Sequence, residues 1–300
     1  MTTRTPATPA RFGPVVTVLS GLLLLASALA CVTALAMPDL IHGPAVMVGS
    51  MRGTALVMLV LAIPMLLLAM GTANHGRLAA VVGWIAGLVF LTYQAWMFLF
   101  AVPFNGLFLV YVAMLAFGFW AIVALLGELH SDRFAAAGPR MRVRLLAGWM
   151  VVSCAAFYAL WLRNVVPASF DSDGPAFLDG TGMVTATNYV LDMALFLPLT
   201  IVAAVALWRR TAWGVVVGGA MLVVLVLESI AIAVDQWVGA AADPQSPVAS
   251  AALTPGFAAL AVIGLVMVGL WYRGTTEAPE RTDRSPATGA PTAAAGPSRT

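Results

Sequence analysis

Asp192 and Glu228 are acids in unusually apolar surroundings. The first lies in Leu-Asp-Met-Ala-Leu-Phe-Leu-Pro-Leu and the second ends Leu-Val-Val-Leu-Val-Leu-Glu. Asp192 precedes Arg209 by seventeen residues, and Glu228 follows Arg210 by eighteen. At ~1.5 Å per helical residue both sit roughly 25–27 Å from that turn, at one depth on adjacent helices. Gln94, seventeen residues past Arg77, reaches the same level, and Tyr93 and Tyr158 lie close to it. Asp235 is seven residues beyond Glu228, two turns up the same face. Asn188 and Tyr189 lie one turn outward of Asp192 on its face. Arg52 and Arg163, at the outer ends of the second and fifth apolar runs, are long enough to reach this layer as counter-ions.

The chemistry open to such a layer is binding of a proton or a cation. An ionised acid inside a bilayer costs at least ~2.5–3.5 kcal/mol, so it must face protein or water and be paired or protonated. Two acids at one level also repel each other. The layer is therefore a candidate outward-opening pocket for a proton, an ion or a small molecule. Two plainer readings stand beside it. The acids hydrogen-bond across helices and fix the bundle, or they lie at the headgroup level.

The elements that must position these residues are membrane spans. The chain has 300 residues, 61% of them hydrophobic and only 9% charged, with a mean hydropathy of +0.96. A soluble domain carries about 25% charge, so the main solvent here is lipid. Eight apolar runs reach spanning length: 14–36, 54–71, 78–101, 106–127, 145–162, 187–208, 213–238 and 253–272. Each must be helical, because backbone groups find no water in the hydrocarbon. An all-α bundle of eight transmembrane helices is expected, preceded by an arm over 1–13 and followed by a disordered tail over 273–300.

Charge sets the orientation. Thirteen arginines fall on the side of the termini and the Arg209–Arg210 turn, and only Arg52 and Arg163 fall on the other. That asymmetry predicts a cell-membrane protein with both termini cytoplasmic. Trp208, Trp213 and Trp271 would mark the inner interface, and Trp96, Trp161 and Trp237 the outer one. The first run continues apolar to Met37, longer than a signal-peptide core, so an uncleaved helix is expected. The partner predicted with most force is the lipid bilayer, also through the basic loop Glu128 to Arg144. A net charge of +2 is too small to suggest nucleic acid.

Several chemistries are excluded. His42, His75 and His130 all fall in loops, so no span offers a haem ligand. There is no HExxH, GxSxG or phosphate-binding glycine loop. Asp171-Ser-Asp173-Gly lacks the remaining ligands of a calcium loop, and His130 with Glu128 and Asp132 reads as a solvated cluster. Cys31 and Cys154 lie inside spans and read as packing thiols. No metal, no cofactor and no enzymatic activity are expected.

Two internal alignments compete. Pro64 precedes Gln94 by thirty residues and Pro198 precedes Glu228 by thirty, an offset of 134 that implies two four-helix halves in parallel orientation. Alternatively, Arg77, Trp84, Tyr93 and Trp96 recur as Arg142, Trp149, Tyr158 and Trp161 at equal spacing. The first is favoured.

The strings Tyr93-Gln94, Val102-Pro103-Phe104-Asn105-Gly106-Leu107-Phe108-Leu109-Val110-Tyr111 and Leu191-Asp192-Met193-Ala194-Leu195-Phe196-Leu197-Pro198 resemble those of an uncharacterised group of bacterial multi-pass membrane proteins. The likeness covers the second to fourth and sixth to seventh spans, has no sharp catalytic motif and implies no activity. In that group the second span often has an acid six residues before its proline, as Asp192 precedes Pro198; here Met58 stands there. Function thus falls between a transporter-like or ligand- or proton-sensing protein using the polar layer and a structural or assembly partner in the membrane.

Overall fold

A computed structural model describes residues 12–74, 77–129, 141–170 and 175–276. The loop cluster of His130 and Asp132, the acidic Asp171 and Asp173, residues 1–11 and residues 277–300 lie outside them. The described residues form no strand. Eight helices are long and apolar enough to cross a membrane. They are α1 Pro14–Ala36, α2 Ala45–Ala73, α3 Leu78–Phe100, α4 Phe108–Glu128, α5 Val143–Ala168, α6 Thr187–Trp208, α7 Ala212–Ala242 and α8 Thr254–Thr276.

Burial identifies the centre. In the most apolar stretch of α7, 78% of residues are buried, and in α3 67%, against 17% in α8. Helices α3 and α7 pack on each other. Around them α2 packs on α3 and α7, α6 on α7, and α5 on α6. Helices α1 and α4 pair with each other, and α8, the least buried, lies on α7. Leu, Val, Phe and Ala fill the interior, together with Trp84, whose indole N–H donates to Ser20 Oγ at 2.9 Å.

Helices α2 and α6 share a distortion. Each contains a π turn, over Met58–Ala62 in α2 and Asp192–Phe196 in α6. In each, the following proline, Pro64 or Pro198, lacks the N–H that continues the ladder. The N–H of Ile63 reaches back five residues to Met58 O, and that of Leu197 to Asp192 O. The two turns are 134 residues apart, the offset of the favoured sequence alignment.

Several boundaries differ from expectation. α2 begins at Ala45, nine residues before the expected 54, so Arg52 lies inside the helix and not at its end. Ser50, Arg52 and Thr54 lower the local hydropathy, but the helix continues because Gly49 and Gly53 let it lie against α7. An added Cβ on Gly53 would stand 2.8 Å from Asp235 Cα and 3.0 Å from Val234 O; one on Gly49 would stand 2.9 Å from Val238 O. α5 runs six residues past the expected 162 to Ala168, and α8 continues through Arg273 to Thr276. The end of the N-terminal arm is docked. Phe12 meets Trp84 edge-on at 5.2 Å, and the Gly13 N–H donates to Glu128 Oε2 at 2.6 Å. Trp271 is no interface marker. It is 2% exposed and donates its indole N–H to Val215 O at 3.0 Å.

Candidate functional site

The π turn of α6 is where the site begins. With the Leu197 N–H bonded to Asp192 O, the next carbonyl in that register is Met193 O, and Pro198 has no N–H for it. The Tyr158 hydroxyl of α5 donates to that oxygen at 2.9 Å. An orphaned carbonyl inside a bundle is costly, so this bond holds α5 against the bulge. One turn further along α5, the Trp161 indole N–H donates to Asp192 Oδ2 at 2.9 Å. From the other side α3 supplies Tyr93, whose hydroxyl donates to Asp192 Oδ1 at 2.7 Å. The rival repeat now has a physical reading. Helices α3 and α5 flank α6, and each presents a tyrosine to the same bulge.

Trp161 is itself held. Tyr189 stacks on it with ring centres 4.5 Å apart, and Phe177 lies 5.2 Å beyond Tyr189. Asn164 Nδ2 donates to the Tyr189 hydroxyl at 3.0 Å. The aromatic stack therefore fixes the direction of the indole N–H toward Asp192.

On α7, Glu228 accepts from Gln94 Nε2 at both carboxyl oxygens, 3.2 and 3.1 Å away. The two residues are 134 apart, so the offset that matches them in the sequence also brings them together at the α3–α7 contact. Asp235, two turns further on, accepts at Oδ1 from Gln236 Nε2 at 3.2 Å. Its backbone oxygen accepts from the Ser50 hydroxyl of α2 at 3.3 Å.

Asp192, Glu228 and Asp235 line one cavity of about 130 Å³, together with Tyr93, Gln94, Trp161 and Asn188. Asp192 and Glu228 are each 6% exposed, so both are surrounded by protein. Both carboxyls have spare acceptor capacity. Ionised, each could take about four donors, yet Asp192 has two and Glu228 shares a single amide. Asp192 and Asp235 are close enough to Glu228 to interact with it electrostatically. Among the described residues, no group of His, Cys, Asp and Glu side chains is arranged to hold a metal ion.

The counter-ions expected from the sequence are elsewhere. Arg163 is exposed on α5 and lines no part of the cavity. Arg52 is half-buried on α2, also outside the lining, and its Nε is buried without a partner. Helix rotation explains both cases: reach along the axis is sufficient, but the side chains leave on other faces. Tyr158 likewise serves the backbone of α6 and not the cavity. Trp161, Ser50, Thr54 and Gln236 line it without having been expected as site residues. Only Trp161 carried a signal, since it stands three residues after Tyr158 as Trp96 stands after Tyr93.

Comparison with protein families, with curated proteins and with solved structures gave no match.

Proposed function

We propose that this multi-pass protein sits in the cell membrane and binds a cation, a proton or an ammonium-type ion, in the acidic cavity of its outer half. It would act as a transporter or as a sensor of that ligand. The observation that carries the reading is the cavity itself: three carboxyl groups line one space, and no arginine among the described residues lines it. An excess of buried negative charge is stable only when a cation or proton is taken up. The arginine asymmetry supports cytoplasmic termini and an outward-facing cavity. The recurrence of the π turn and proline 134 residues apart supports two repeated halves, with Gln94 and Glu228 meeting near their axis.

The second reading is structural, and one observation favours it. The bonds of Asp192 and Glu228 tie α3, α5, α6 and α7 together. Trp161 fluorescence separates the two, read as wild type minus Trp161→Phe in lipid nanodiscs. Titration with ammonium and with acid should give a saturable change that Asp192→Asn abolishes while keeping its helical content. A wild type without response, or an Asp192→Asn variant that responds equally, overturns the cation site and leaves the structural reading.

A further inference from the structure

Beside the acidic cavity lies a larger, half-open one of about 540 Å³ between α3 and α6, with Phe100, Val190 and Leu195 on its walls more than half exposed. Its walls are Trp96, Phe100, Val190, Leu191, Ala194 and Leu195, and residues 181–185 and 101–104 also line it at its outer end. We propose that it takes the apolar body of an amphipathic organic cation, whose charged end is drawn to Asp192 and its neighbours. This rests on the reading of the acidic cavity as a cation site.

Size comes first. A cavity of about 130 Å³ holds a few waters or a single ammonium group, given ~30 Å³ per water. It has no room for an organic body. The larger space falls within the ~300–1,000 Å³ of small-molecule sites.

Adjacency comes second. Ala101 and Val102 line both cavities. On α6, Thr187 and Leu191 face the large cavity and the very next residues, Asn188 and Asp192, face the small one. The wall between them is thus one layer of side chains. It is stitched by Thr187 Oγ1 donating to Phe100 O at 3.3 Å and by Tyr93 donating to Asp192.

Charge is the third argument. No ionisable side chain lines the large cavity, and three acids line the small one. A fatty acid or phospholipid would bring its own negative charge to them; a lipophilic amine, phosphonium or quaternary ammonium brings the opposite. Trp96 and Phe100, with ring centres 6.0 Å apart, add faces that attract a cation. The outer end is a formed structure. Asn105 Oδ1 accepts from the Leu107 N–H at 2.9 Å and Asn105 Nδ2 donates to Pro103 O at 2.9 Å, which fixes the turn above the cavity.

The test uses the full chain in nanodiscs, with octylammonium and its nearly isosteric anion octanoate as probes and empty nanodiscs as baseline. Saturable octylammonium binding is expected, weakened at least tenfold by Asp192→Asn and by Ala194→Phe, which projects a ring into the large cavity. Octanoate should show no saturable binding. Equal binding of the two probes, no saturable octylammonium binding, or octylammonium binding unchanged in both variants overturns the proposal. If octylammonium binding fails while Trp161 still responds to ammonium, this inference alone falls. If the Trp161 response fails too, the cation site falls with it.

Discussion

The two interhelical seams of the bundle's centre start from the same parts and end differently. At one, α2 lies against α7; at the other, α6 faces α3. Each joins a π-turned, proline-containing helix to a central helix of the opposite half. Under the offset of 134, Gly49 and Gly53 on α2 match Met183 and Thr187 at the start of α6. Asp235 and Gly239 on α7 match Ala101 and Asn105 at the end of α3. The first seam is closed by backbone lying on backbone across glycines. The second lacks them, and the large cavity opens there. The interiors differ in the same sense. Asp192 and Tyr93 match Met58 and Leu227, which are 0% and 5% exposed. One helical distortion thus carries a buried Met58 in α2 and the hydrogen-bonded carboxyl of Asp192 in α6, while the outer turns of both seams line the polar cavity. Which of the two it carries is decided by the side chains around it.

The contrast between seams breaks most readily at Gly53. Gly53→Leu should cost about 3 kcal/mol, because the atoms it meets are α7 backbone and cannot turn aside. Ala194→Leu at the open seam should stay within about 0.5 kcal/mol. Unfolding midpoints in one detergent measure both, and equal losses would erase the distinction.

Next in size is Asp192→Ala, which leaves the Tyr93 hydroxyl and Trp161 indole N–H without their acceptor. A loss of about 2 kcal/mol is expected, with Asp192→Asn losing less because an amide oxygen still accepts. Tyr158→Phe removes the hydroxyl that donates to the Met193 carbonyl and should cost about 1 kcal/mol. Under the same offset Tyr158 matches Leu24, whose side chain has no donor for the bulge of α2, so Leu24→Ala should leave that π turn intact by amide exchange. Smallest is Thr187→Val, about 0.6 kcal/mol, for the single bond to Phe100 O.

Much of the fold was legible in the sequence, because a bilayer permits one solution for a long apolar run. That Asp192, Glu228 and Gln94 share one level along their helices was legible too. Arg77 and the Arg209–Arg210 turn give a common origin, and helical rise does the rest. Rotation about each axis was not legible. It sends Arg52 and Arg163 away from the acids and turns Trp161, an expected interface marker, into a donor to Asp192. Helix ends were misjudged where polar residues continue a helix, as at Ser50 and Arg52. Pro64 and Pro198 announced a break in the ladder, but that both breaks take the form of a π turn depends on tertiary packing.

Infrared difference spectroscopy of the full chain tests the cation site most directly, because the carboxyl stretch reports a proton or ligand at an acid without a label. Addition of acid or ammonium should produce a saturable carboxyl difference band that disappears in Asp192→Asn and shifts in Glu228→Gln. A folded wild type whose carboxyl region is unchanged throughout the titration would contradict the account, leaving Asp192 and Glu228 as ties between helices.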